Sequence, residues 1–199
     1  MSYYNMGDCY YSLEQYETAL VFMQKALDIY TQVFGDSHKD VAFVTNGIGS
    51  CYRGLGNYPK ALECYERALE IWLALYGEAH RDVASGYHNV GYVLNLLEEY
   101  DRAIENFKKA VSIRRTVLGE NHPDVAIALY NTAFVCKKQG KNTEALDFFN
   151  QALAVWQNAY GPNNQYEKTV YGQISAVYEA MGELDKAEEY KTKSGAATR

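Results

Sequence analysis

Residues 41–76 read VAFVTNGIGSCYRGLGNYPKALECYERALEIWLALY. In the first half the apolar residues Val41, Val44, Ile48, Cys51, Tyr52 and Leu55 recur three or four positions apart, the spacing of one helix face. Gly56 and Asn57 interrupt the pattern. A second stripe follows through Tyr58, Ala61, Leu62, Tyr65, Ala68, Leu69 and Trp72 until Gly77 stops it. The stretch therefore predicts two helices joined by a short turn, and a lone hairpin of this kind cannot bury both stripes.

The chain answers that need by repetition. GDSHKDVA at 35, GEAHRDVA at 77 and GENHPDVA at 119 are copies 42 residues apart, and GPNNQYEK at 161 is a divergent fourth. Small residues occupy one slot of the unit at Gly7, Gly49, Gly91, Ala133 and Ser175, and alanine occupies another at Ala19, Ala61, Ala103, Ala145 and Ala187. A missing side chain on the first helix lets its partner approach, and a ring such as Tyr65 or Phe107 fills the space beside it. We expect five hairpins, at about 1–34, 35–76, 77–118, 119–160 and 161–193. They stack as a single all-α, right-handed solenoid over residues 1–199, each repeat touching its neighbours. Both ends read as cut from a longer array or as atypical caps.

His122 beside Asp124 resembles a general base with its orienting carboxylate, but a catalytic pair has no need of copies at His38/Asp40 and His80/Asp82. Gly119 suits the left-handed position after a helix, Pro123 the first turn of the next one, and Asp124 the positive end of its dipole. The segment is read as a corner. No Gly-rich phosphate loop, metal cluster or nucleophile motif is visible, so no catalytic residue, metal or cofactor is assigned.

A net charge of -6 and the lack of basic blocks argue against nucleic acid, and no apolar run approaches the roughly 20 residues that span a bilayer. The N-terminus lacks a secretory signal, and the expected location is cytoplasmic. The four cysteines lack zinc spacing, and Cys9 and Cys51 share a slot with Val93, Val135 and Val177. Both are expected as buried core thiols.

Gly49, Tyr52, Gly56, Tyr58, Ala61, Tyr65 and Ala68 follow the signature of the tetratricopeptide repeat, and the 42-residue unit with GxxHxDVA resembles the repeat domain of kinesin light chains. The resemblance implies a noncatalytic scaffold whose concave face, lined by the first helix of each hairpin, holds a peptide segment of a partner. In kinesin light chains that segment carries tryptophan among acidic residues. Carried onto this chain, the groove slots are Phe43, Asn46, Ser50 and Arg53, then Ser85, His88, Tyr92 and Asn95, then Ile127, Tyr130, Phe134 and Lys137, with Lys138 at the rim. Arg and Lys would pair with carboxylates while rings supply contact area. Asp8 and Glu179, in groove slots at the two ends, weaken that basic character. The asparagine of the carboxylate clamp in chaperone-binding relatives is absent from its slot, which holds Asp8, Ser50, Tyr92, Phe134 and Ala176. The alternative is a structural module that self-associates through end repeats or its convex face.

Overall fold

A computed structural model gives the structure of residues 2–195. Ten α-helices and no strand lie among the described residues: α1 (Tyr3–Ser12), α2 (Tyr16–Phe34), α3 (Lys39–Gly54), α4 (Tyr58–Tyr76), α5 (Arg81–Leu96), α6 (Tyr100–Leu118), α7 (Pro123–Lys138), α8 (Asn142–Tyr160), α9 (Gln165–Met181) and α10 (Leu184–Ser194). The starts of α3, α5, α7 and α9 are spaced by 42 residues, and so are those of α2, α4, α6, α8 and α10. The chemical period is thus also the structural one. No helix among the described residues is long and apolar enough to cross a membrane.

The chain divides into two compact units, Met1–Glu99 and Tyr100–Arg199. In the first, α1 packs on α2, α3 on both α2 and α4, and α5 on α4. The second repeats the scheme with α6 on α7, α7 on α8, α8 on α9 and α9 on α10. Every pairing joins helices that are near in sequence, so each unit is built from local contacts.

The small-residue slots do what the spacing predicts. Ala19, Ala61, Ala103, Ala145 and Ala187 are all buried. A Cβ placed on Gly49 would meet the Tyr65 ring at 3.0 Å, so the ring fills the place of the missing side chain. At Gly7 the same space is taken by Met23, whose Cγ would lie 2.6 Å from an added Cβ. In the last hairpin Ser175 replaces glycine and uses its hydroxyl to donate to the Ala187 carbonyl at 2.8 Å.

The GxxHxDVA corners are caps. The Nδ1 atoms of His38, His80 and His122 each accept the backbone N–H of the aspartate two residues on, at 3.2 Å. In the fourth copy Asn164 Oδ1 takes over the same duty toward Tyr166 N at 3.1 Å. Histidine here replaces the usual Ser, Asp or Asn of a helix start. Pro123 and Asp124 fall in the first turn of α7 as expected. Gly119 has a φ of 93°, and the equivalent Gly35, Gly77 and Gly161 combine positive φ with ψ of 165°, -175° and 172°. That is an extended basin open almost only to glycine, not the left-handed helical one.

One core assignment is corrected. Cys51 is fully buried, its Sγ 3.7 Å from Met23 Sδ, but Cys9 is exposed. The face of α3 that carries Cys51 is covered by α2, whereas no described helix precedes α1 to cover Cys9.

Candidate functional site

Of the expected groove residues, eight lie in the first unit and four in the second, with Lys138 at the rim of the latter. In the first unit α1, α3 and α5 are tied side by side. Asn89 donates to Asn46 Oδ1 at 2.8 Å, and Arg53 donates to the Tyr11 hydroxyl at 2.9 Å while its guanidinium lies 5.2 Å from the centre of the Tyr92 ring. Ser50 joins this row through a 2.9 Å hydrogen bond with the Tyr65 hydroxyl, which fixes the hydroxyl between α3 and α4. Phe43 packs edge-on against Trp72 at 5.4 Å and stays 37% exposed, as does Tyr92. Part of each ring therefore remains available for contact. His88 is half-buried on α5.

Asn95 is the outlier of this set. It occupies the slot of Arg53 yet is only 8% exposed, and its Oδ1 is buried without a hydrogen-bond partner among the described residues. An address in the repeat gives a helix face; how deep a side chain sinks depends on the bulk of its neighbours.

In the second unit Tyr130 packs against Phe149 at 5.5 Å and Trp156 at 5.9 Å, which makes it part of the wall between α7 and α8. Phe134 is half-buried, with the ammonium groups of Lys137 and Lys138 over its ring at 5.3 and 5.4 Å. Lys137 also donates to Gln173 of α9. Burial holds the Lys137 pKa below its ordinary value, because the charged form is the one that loses solvent.

The two cations thus share a setting. Arg53 is held by a phenol and a ring, Lys137 by an amide and a ring, and neither has a carboxylate partner among the described residues. Several other cations are paired with acids, as in Arg67–Asp36 at 2.9 Å and Lys141–Asp101 at 2.8 Å, while Lys60 lies over the Tyr52 ring and Arg114 donates to the Asp124 carbonyl. Tyr11 and Gln173, which hold the two cations, and Asn89, which holds Asn46, were not among the expected site residues. Their separations from Arg53, Asn46 and Lys137, close to one repeat, were the available signal, since that spacing puts them on adjacent first helices.

The His/Asp pairs carry no comparable setting. Each Nδ1 is already engaged by the cap, with the aspartate carboxylate 3.6–3.8 Å away. Among the described residues no group of three His, Cys, Asp or Glu side chains is placed to hold a metal ion.

Comparison with known proteins follows the same outline. A crystal structure of BtubC (BKLC) from P. vanneervenii superposes with a TM-score of 0.85 at 22% identity, over 95% of this chain and 75% of that one. A Podosopora anserina putative kinesin light chain with nearly identical TPR-like repeats gives 0.86 at 16% identity, over 98% and 92%. The apo form of RapI gives 0.70 at 16%, over 96% and 80%. These likenesses are of fold, an α-solenoid of helical hairpins. Among curated proteins none matches the chain in sequence. The family model for the tetratricopeptide repeat matches residues 1–74, 40–116, 82–154 and 124–196, windows that advance in step with the 42-residue unit once past the first. The chain belongs to the tetratricopeptide repeat family.

Proposed function

We propose that the protein is a noncatalytic interaction scaffold that binds peptide segments of a partner, with acidic and aromatic side chains as the recognised features. The observation that carries this reading is the pair of partly buried cations with neutral partners. A side chain such as Arg53, oriented by Tyr11 and Tyr92, is held in place without its charge being neutralised. An incoming carboxylate supplies the missing counter-charge, and Tyr92 and Phe43 offer exposed ring surface beside it. Lys137 with Phe134 offers the same combination in the second unit.

A fluorescein-labelled peptide with one tryptophan among aspartates and glutamates, titrated by anisotropy, tests this. Wild type binds and weakens as salt rises, since exposed charges are screened over about 10 Å at 0.1 M. Arg53→Glu and Lys137→Glu each lose most of the affinity while keeping their helical circular dichroism. Equal binding by wild type and both variants overturns the reading.

Self-association is the second reading, and one surface favours it. On α2, Val21 is 55% exposed in the slot that holds Glu63, Glu105 and Asp147 in later helices. Ile29 is 43% exposed where Ile71 and Val155 are 9% and 7%. If this face pairs with another copy, sedimentation velocity shows a concentration-dependent dimer that Val21→Glu abolishes.

A further inference from the structure

A second feature lies in the second unit, away from α7's groove slots and independent of the peptide reading. Between α6 and α8, over α7, there is an open cleft of about 360 Å³. One wall is the half-buried Phe148 ring, and Leu129 beneath the cleft is itself fully buried. Along the other wall run Lys108, Ser112 and Arg115, one turn apart on α6, so the cleft sets an aromatic ring against two cations and a hydroxyl. Its size falls at the lower end of small-ligand pockets, roughly 300 to 1,000 Å³.

The basic wall is held but not fully satisfied. Lys108 lies over Phe148 at 5.4 Å and reaches Glu144 at 3.7 Å. Arg115 donates to Gln151 at 3.1 Å through its terminal nitrogen. Glu120 Oε2 is 2.9 Å from Arg115 Nε, yet that buried Nε makes no hydrogen bond among the described residues. At so short a distance a missing hydrogen bond means that the carboxylate is out of line with the N–H. Glu120 is 72% exposed at its side chain and sits in the α6–α7 turn, so it is a poorly aligned occupant of a carboxylate position.

The first unit shows that this is not a general property of the repeat. The same slots 84 residues earlier hold Gln24, Asp28 and Thr31 in place of Lys108, Ser112 and Arg115, with Thr45 for Leu129 and Cys64 for Phe148. That cleft position has no cation and no ring.

We propose that the α6–α8 cleft is a binding site for a small aromatic carboxylate. The ring lies against Phe148, and the carboxylate takes the place of Glu120, in line with Arg115 Nε–H and near the Lys108 ammonium. Arg115 and Lys108 supply charge, and Phe148 supplies ring contact.

The probe is 2-naphthoate, titrated into the isotope-labelled full chain and followed by two-dimensional NMR. The largest shifts are expected at Ser112, Leu129 and Phe148. Arg115→Gln and Phe148→Ala each weaken binding about tenfold, as loss of a charged hydrogen bond or a buried ring contact does. Glu120→Ala strengthens it about two- to fivefold, because it removes the competing carboxylate. Arg53→Gln, in the other unit, leaves it unchanged. Neutral 2-naphthamide binds at least tenfold more weakly, and acetate at equal concentration does not displace naphthoate. Should Arg115→Gln fail to fold, Lys108→Gln carries the same expectation with a smaller loss. The proposal is overturned if the shifts centre elsewhere, if the cation variants bind as wild type, if Glu120→Ala weakens binding, or if acetate competes equally.

Discussion

At His122 a ring nitrogen does what an asparagine does one repeat later, and the equivalence is testable. Because Nδ1 accepts the Asp124 N–H, that nitrogen must carry a lone pair, and His122→Asn preserves an acceptor while His122→Ala removes it. The alanine variant should lose about 1 kcal/mol in urea unfolding and the asparagine variant markedly less. His80 adds a second contact, its ring stacked on Tyr76 at 4.0 Å, so His80→Asn should cost more than His122→Asn, whose corresponding neighbour is Leu118. Equal losses in all three would show that the cap is not what the histidine contributes. Backbone conformation gives another prediction at this scale. The turn inside each hairpin puts Gly56, Gly140 and Gly182 at positive φ, but Glu14 and Glu98 occupy the same slot at 57° and 63°. A side chain there costs roughly 1–2 kcal/mol, while glycine adds about 0.5–1 of chain entropy. Glu98→Gly should therefore raise stability by up to about 1 kcal/mol, seen as a higher urea midpoint. The thiols divide in the same residue-by-residue way. Burial, the main cause in each case, raises Cys51, Cys64 and Cys136 to about 11, so at pH 8 they hold almost no thiolate. Ellman's reagent should then titrate exposed Cys9 rapidly and the others only on unfolding.

Between helices the close approach at Gly49 sets the strictest demand. With the Tyr65 ring 3.0 Å from where a Cβ would stand, and the Tyr65 hydroxyl tied to Ser50, the ring has little freedom to retreat. Gly49→Leu should cost about 1 to 3 kcal/mol or more, and unchanged thermal melting would mean that α3 and α4 are not held through this contact. The pairing of glycine with a ring sixteen residues later was legible in the sequence, as were the starts of the long helices, because a fixed period turns each residue into an address. Depth was less legible. Cys9 and Cys51 have one address but opposite exposure, since burial at that slot is supplied by a helix that α1 lacks. Arg53, Lys137 and Asn95 also share one, yet the first two stay half-exposed with neutral partners and the third sinks into the packing. Nor did composition reveal the α6–α8 cleft, because Lys108 and Arg115 read as ordinary surface charge until the helices place Phe148 opposite them.

Across the chain the contacts within each unit are between sequence neighbours, and this makes stability divisible. Deleting residues 161–199 removes α9 and α10 and strips Tyr166 from the face of Trp156, where the two rings stack at 4.7 Å and 8°. The cut is local: Trp156 on α8 loses the Tyr166 ring, whereas the contacts of α3 with α2 and α4 are untouched. The shortened chain should keep helical circular dichroism close to the share of helix it retains and melt at lower temperature. In a Trp72→Phe background its tryptophan emission should shift to the red, since the remaining Trp156, 4% exposed in the full chain, loses its cover. Hydrogen exchange should show amides of α3 and α4 as protected as in the full chain while those of α8 exchange faster. A single cooperative core would respond differently, with protection falling evenly everywhere or all helical signal disappearing, and either result would mean that the repeats are not energetically separable units.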